Sequence, residues 1–327
     1  MSQIIKPFLL CTLLGISFSD YFLPNIKDID QKDSVLVTAK SNPSIHQNSP
    51  QNNSENLLTL DTSTTKAEYE RLMQILSDRK ITTIPIDQFL QTVSAKFLGA
   101  TYREGLLDQG ATEKLFVSLT EFDCVLFVET VLAFSRNLRS PISSYENFVE
   151  KIQEVRYTDG KLDGYCSRLH YFSEWIRNNQ ARNIVRDLTS ELGGVPLNKT
   201  LNFMSSNWQK YPKLKNSEAN YQCILAMEQK MGIEMRSQPL RYIPSHKIRS
   251  IYALLKAGDI IAVTTDLKGL DATHTGFVYP TANGLGLIHA SPSGKVKVSP
   301  DLQRYVEGVD HAIGIMVARL VDYSAER

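Results

Sequence analysis

Thr273-His274-Thr275-Gly276-Phe277-Val278-Tyr279 and Leu285-Gly286-Leu287-Ile288-His289-Ala290-Ser291, joined by Pro280 to Gly284, read as two β-strands and a hairpin. If Tyr279 pairs with Gly284, His274 stands directly opposite His289, with Cβ atoms ~5 Å apart. One imidazole then takes a proton while the other fixes its tautomer and orientation. Gly276 falls on the same strand face as His274, where a missing side chain leaves room for a close neighbour.

The same period continues outward from the hairpin. Asp259 to Thr264, Lys295 to Ser299 and Ala312 to Leu320 are short β-branched or alternating runs separated by Gly, Pro and Asn. Upstream the period changes to helical. Lys66 to Arg79 places Tyr69, Leu72, Met73, Ile75 and Leu76 at helical spacing, and a second helix runs from Ile86 to Leu98 after Pro85, stopped by Gly99. Further helices are expected at Ser144 to Val155, Arg168 to Asn178 and Glu218 to Lys230. Helices first and an antiparallel sheet afterwards define an α+β domain.

Ser118 to Leu138 is the strongest helical stretch, and Val125, Leu126, Phe127, Val128, Val131, Leu132 and Phe134 make it apolar nearly all round, so it belongs in the interior. Near its start stands Cys124, in Phe122-Asp123-Cys124-Val125. Three caps are available: Ser118 with Glu121, Thr120 with Asp123, or Asp123 itself, and Asp123 is favoured. A helix N-terminus and a nearby imidazole both favour thiolate, so a cysteine here with two histidines downstream fits nucleophilic catalysis. Taken alone, Cys124 reads as a small buried hydrophobe. Metal signatures are missing: the chain has no His-Glu-x-x-His and no Cys-x-x-Cys, and Cys166 with His170 is too sparse.

A length of 327 residues suits one large catalytic domain with appendages. The net charge of +1 and 22% charged residues give no polybasic signal, which sets nucleic acid aside. Residues 1–19 read as an export signal, with Lys6 ahead of the apolar run Pro7 to Phe18, a run too short to span a bilayer. Residues 20–64, rich in Asn, Ser, Gln and Pro, read as a disordered linker, and 65–327 as the catalytic domain. Removing Cys11 with the signal leaves Cys124, Cys166 and Cys223; the last two either pair or stay reduced and buried.

Several runs appear in a known order: Phe97-Leu98-Gly99-Ala100-Thr101-Tyr102, Phe122 to Thr130 around Cys124, Ser167-Arg168-Leu169-His170-Tyr171-Phe172-Ser173-Glu174-Trp175-Ile176, Tyr242-Ile243-Pro244, Gly258-Asp259-Ile260-Ile261, Thr273 to Gly276 and His289-Ala290-Ser291. In these the chain resembles the bacterial N-acetylmuramoyl-L-alanine amidase-like family, a branch of the NlpC-type papain-like fold. The resemblance covers roughly Lys66 to Leu320. It implies a cysteine amidase that cuts the N-acetylmuramoyl to L-alanine amide of peptidoglycan or muropeptides, with Cys124 as nucleophile, His274 as base and His289 as orienting group. Tyr102, Asp123, Arg168, Tyr171, Trp175 and Ser291 are the implied oxyanion and substrate-binding set. The implied chemistry calls for no metal or other cofactor, acts on no nucleic acid, and places the mature chain outside the cytoplasm with no integral span. Leu126, where Thr or Ser is usual, and Thr275, where Val is frequent, depart from the family pattern. The alternatives are a γ-D-glutamyl-diamino-acid endopeptidase of the same fold, an acyltransferase using the same thioester, and a non-catalytic wall-binding module.

Overall fold

The computed structural model describes residues 57–59 and 62–322, so the expected signal at 1–19 and most of the expected linker lie outside the described residues. The first part holds β1 (Leu57–Thr59), α1 (Thr62–Leu76), α2 (Arg79–Thr82), α3 (Ile86–Ala95), β2 (Thr101–Tyr102), β3 (Leu115–Val117), β4 (Glu121–Phe122), α4 (Cys124–Leu138) and α5 (Tyr145–Arg156). Then come α6 (Phe172–Ala181), β5 (Val185–Asp187), β6 (Val195–Pro196), α7 (Phe203–Ser206), α8 (Pro212–Lys215) and α9 (Glu218–Ser237). The last third is β7 (Arg241–Pro244), β8 (Ile260–Thr265), β9 (Ala272–Thr281), β10 (Gly284–Ser291), β11 (Lys295–Ser299), α10 (Leu302–Glu307) and β12 (Ala312–Leu320). This is the α+β order expected from the change of period.

Two parts of the expected linker belong to the fold. Leu57, Leu58 and Thr59 pair in parallel with Leu115, Phe116 and Val117, and α1 begins at Thr62.

The main sheet runs in the order β4-β2-β11-β10-β9-β8-β12-β7-β6, with β5 paired to β12. Its faces divide the interior. Ile260, Ala262, Phe277, Ile288, Ala290 and Val296 join the core that contains α4. Ile261, Val263, Val278, Leu287, Ile315 and Val317 face the other way, onto Leu302 and Val306 of α10. A third core, with Tyr171, Met204, Tyr211, Ile224 and Met231, gathers α7, α8 and α9, and Cys166 bonds to Cys223 beside it with Cα atoms 6.2 Å apart.

Two helices start later than the sequence suggests. Every residue of α4 except Arg136 is buried, but the helix begins at Cys124 rather than Ser118. Ser118 Oγ instead accepts from Glu121 N at 3.0 Å in a turn, and Glu121 and Phe122 pair in parallel with Thr101 and Tyr102. Likewise α6 starts at Phe172, four residues after the expected Arg168, because Arg168 is extended and its side chain is drawn toward Asp108.

Candidate functional site

The hairpin closes two residues later than expected. Thr281 pairs with Gly284 and Tyr279 with Gly286, so Ala282 and Asn283 form the turn and His274 is not directly opposite His289. Continuing this register puts His289 across from Gly276. Diagonal neighbours are ~7–8 Å apart at Cα, still within reach of rings. The two imidazoles meet edge to face at 4.8 Å between centroids and 89°, with His274 Nε2 2.7 Å from His289 Nδ1. Gly276 makes this possible: a Cβ there would sit 2.6 Å from Ile288 O and 2.9 Å from His289 Cβ.

His289 continues the chain of contacts through Nε2, 3.0 Å from Ser299 Oγ. Lys297 lies across from His289 in the β10–β11 register, so Lys297, Ser299 and His289 share a face. The Tyr305 ring covers both imidazoles, at 5.8 Å from His274 and 4.7 Å from His289. Both histidines are buried, and burial is the first cause holding His274 down to about 3, with the Lys297 ammonium adding to it. His289 is depressed well below its ordinary value, by burial first and then by His274 and Lys297. Both rings are therefore neutral at pH 7. Ser299 and Tyr305 also line a cleft of about 770 Å³ with Arg249, Asn283, Pro300, Asp301 and Arg304.

Cys124 is the first residue of α4, and Asp123 is its cap, with Oδ1 accepting from Leu126 N at 2.8 Å. Burial pushes the Asp123 carboxyl up to about 7. The body of α4 crosses the sheet on the face opposite the imidazoles, where Phe127 meets Phe277 at 5.8 Å. Its N-terminal end follows directly from β4 at the β2 edge. Tyr102 links the two regions. Its hydroxyl is raised far above the usual phenol value by burial first and then by the charges of Asp123, Glu104 and Tyr305. Tyr102 Oη and Glu104 Oε2 are buried and have no hydrogen-bond partner among the described residues.

Three residues expected at the substrate wall belong to the interior instead. Arg168 is buried and binds Asp108 at 2.6 Å and Leu107 O at 3.0 Å, with its guanidinium 4.9 Å from the Tyr165 ring centroid. Tyr171 Oη donates to Glu228 at 2.7 Å, and Trp175 stacks on Phe172 at 5.0 Å. Of the three, only Trp175 lies within α6, although a helix was expected to run from Arg168 to Asn178. His170 of the same run is buried against Tyr165 O at 2.9 Å. Ser291 is buried on the His289 face, with Oγ 3.0 Å from Ser293 Oγ. Ser299, Lys297, Tyr305 and Glu104 were not among the residues expected from sequence. Alternation along β11 would have found the first two once the register was known.

Among the described residues no group of three or more His, Cys, Asp or Glu side chains gathers as a metal-ligand set. The fold and site together define a mixed α+β protein with a buried His-His-Ser chain on its sheet and a cysteine at the start of its central helix. The chain belongs to the AmiA-like, N-acetylmuramoyl-L-alanine amidase-like family, whose model matches residues 92–315. It is similar to the crystal structure of an N-acetylmuramoyl-L-alanine amidase from Bacteroides uniformis, at 33% identity and TM-score 0.66, covering 72% of this chain and 99% of that one. A Bacteroides fragilis structure shares 32% identity at TM-score 0.62, covering 70% of this chain and all of the other. A Legionella pneumophila protein, 20% identical with TM-score 0.55 over 80% of this chain and 94% of that one, shares the fold. No curated protein matches the chain.

Proposed function

We propose that the protein is a cysteine amidase of papain-like, NlpC-type design that hydrolyses the amide between N-acetylmuramic acid and L-alanine in peptidoglycan or its fragments. The observation that carries this reading is the imidazole pair, in a chain of the amidase-like family: His274 Nε2 is engaged by His289, so Nδ1 is the basic atom when Nε2 carries the ring hydrogen. In the reaction Cys124, in its reduced form, gives its thiol proton to His274 Nδ1 and the sulfur attacks the lactyl carbonyl carbon. First-turn amides and the positive end of the α4 dipole favour the developing oxyanion, and the buried Tyr102 hydroxyl is the further donor. The imidazolium protonates the departing L-alanine nitrogen as the C–N bond breaks, leaving a thioester. Water, deprotonated by His274, then attacks that carbonyl and restores the thiol.

Asp123 acts here as the mount of the nucleophile helix, and Ser291 as a wall residue beside His289. The Cys166 to Cys223 bond fits an exported protein, since such bonds persist in oxidising compartments. No described helix is long and apolar enough to cross a membrane. Digestion of purified peptidoglycan followed by mass spectrometry tests the reading. Wild type is expected to release peptides that begin with L-alanine, and Cys124→Ala to lose at least ~10³-fold in rate while keeping the fold. Products cut instead between D-glutamate and the diamino acid would make it the endopeptidase, and a fully active Cys124→Ala would end the thioester mechanism.

A further inference from the structure

We infer that Ser299 is a positioning residue that sets the tautomer of both imidazoles and so makes His274 Nδ1 a base; this rests on the role of His274 proposed above. A neutral imidazole carries one N–H, and a hydroxyl can give one proton and accept two. The two contacts in series, Ser299 Oγ to His289 Nε2 at 3.0 Å and His289 Nδ1 to His274 Nε2 at 2.7 Å, permit only two self-consistent proton arrangements.

In the first, His289 Nε2–H donates to Ser299, His274 Nε2–H donates to His289 Nδ1, and a lone pair remains on His274 Nδ1. In the second every proton is reversed, and His274 presents an N–H where a base is required. The catalytic cycle selects between them. Once His274 has taken a proton it carries two N–H groups, so His289 Nδ1 must accept and His289 Nε2 must bear the hydrogen. An acceptor is then needed at Nε2, and Ser299 Oγ is the atom in place. Its own proton has an outlet, because Ser299 lines the 770 Å³ cleft on its other side. Both rings are buried, and Ser299 Oγ is the protein group that meets His289 Nε2 where the cleft begins, so removing it changes what that nitrogen can bond to.

The test combines kinetics with nitrogen-15 NMR of the imidazoles in the intact protein. Wild type should show Nε2–H on both rings. Ser299→Ala should lower kcat roughly 10- to 100-fold, short of the ~10⁴ loss that a wholly wrong tautomer brings to a serine triad, with KM changed less than about twofold. Its rings should show mixed tautomers. Ser299→Thr should restore both rate and spectrum, whereas Ser299→Val, isosteric with Thr, should not; this pair decides the matter if the alanine variant does not fold. A wild-type His274 with Nδ1–H, or a Ser299→Val protein with wild-type spectrum and kcat, overturns the assignment. Failure of wild type to cut muropeptides would refute the amidase reading alone, because the ring spectra report on Ser299 without substrate.

Discussion

At the scale of single residues the site depends on a missing atom and a nearby charge. Gly276 has no Cβ, so His289 can lean along the strand and reach His274 from a diagonal position. Lys297, across from His289, adds an ammonium on the same face. After burial, this charge is the second cause that keeps His274 at about 3. Lys297→Gln removes the repulsion without emptying the site, so both imidazoles should accept a proton at higher pH than in wild type, and a proton NMR titration of the ring C–H signals should show His274 moving upward. Unchanged titration curves would mean that Lys297 points away from the rings. The two histidines were legible because they stand in alternating runs around a turn. Ser299, Lys297 and Tyr305 were not, because a serine, a lysine and a tyrosine mean nothing until the register places them. The expected register, two residues short, concealed that placement.

At the scale of elements, strand positions were largely visible: β11 and β12 match their expected spans, and β8, β9 and β10 differ by at most a few residues at their ends. Their β-branched, alternating composition is a strong local signal. Helix starts were less visible where tertiary partners take over, as Asp108 does for Arg168, and α10 was missed although Asp301 caps it by accepting from Arg304 N. The cap of α4 was legible, and it carries a pH consequence. Asp123 is buried with its carboxyl raised to about 7, above the unfolded value near ~3.9. The folded state therefore holds this proton more tightly, so the stabilisation is complete below ~3.9 and is lost as pH rises through about 7. Asn caps as well as Asp but does not ionise. Relative to wild type, Asp123→Asn should gain stability from pH 5 to pH 8, by on the order of 2 to 4 kcal/mol. Thermal melts of both proteins across that range check the sign; a gap that stays constant or narrows would exclude ionisation of Asp123 as the cause.

At the scale of the whole molecule, three cores do not hold equally. The two cores on the sheet faces are bounded by long paired strands, whereas the third relies on α9, of which only Ile224, Glu228 and Met231 are buried. Glu228 ties that helix inward by accepting from Tyr171 Oη at 2.7 Å and Ser205 N at 3.1 Å. The bond from Cys166 to Cys223, 57 residues apart, is the covalent part of the same attachment. Sequence left this pairing open, because spacing does not say which cysteines approach each other. A loop of this length limits the unfolded chain by about 4 kcal/mol on the entropy model, and measured effects are commonly about 2 to 4 kcal/mol. The double variant Cys166→Ser with Cys223→Ser should lose that much stability, unevenly distributed. Hydrogen exchange should speed up in α7, α8 and α9 while amides of β8, β9 and β10 around the histidines keep their protection. Because the imidazole chain lies on the sheet, muropeptide cleavage should survive in the variant at temperatures where α9 exchanges freely. Equal loss of protection in the third core and the sheet would show instead that the molecule opens as one unit, with the staple guarding the site as well as the helices it joins.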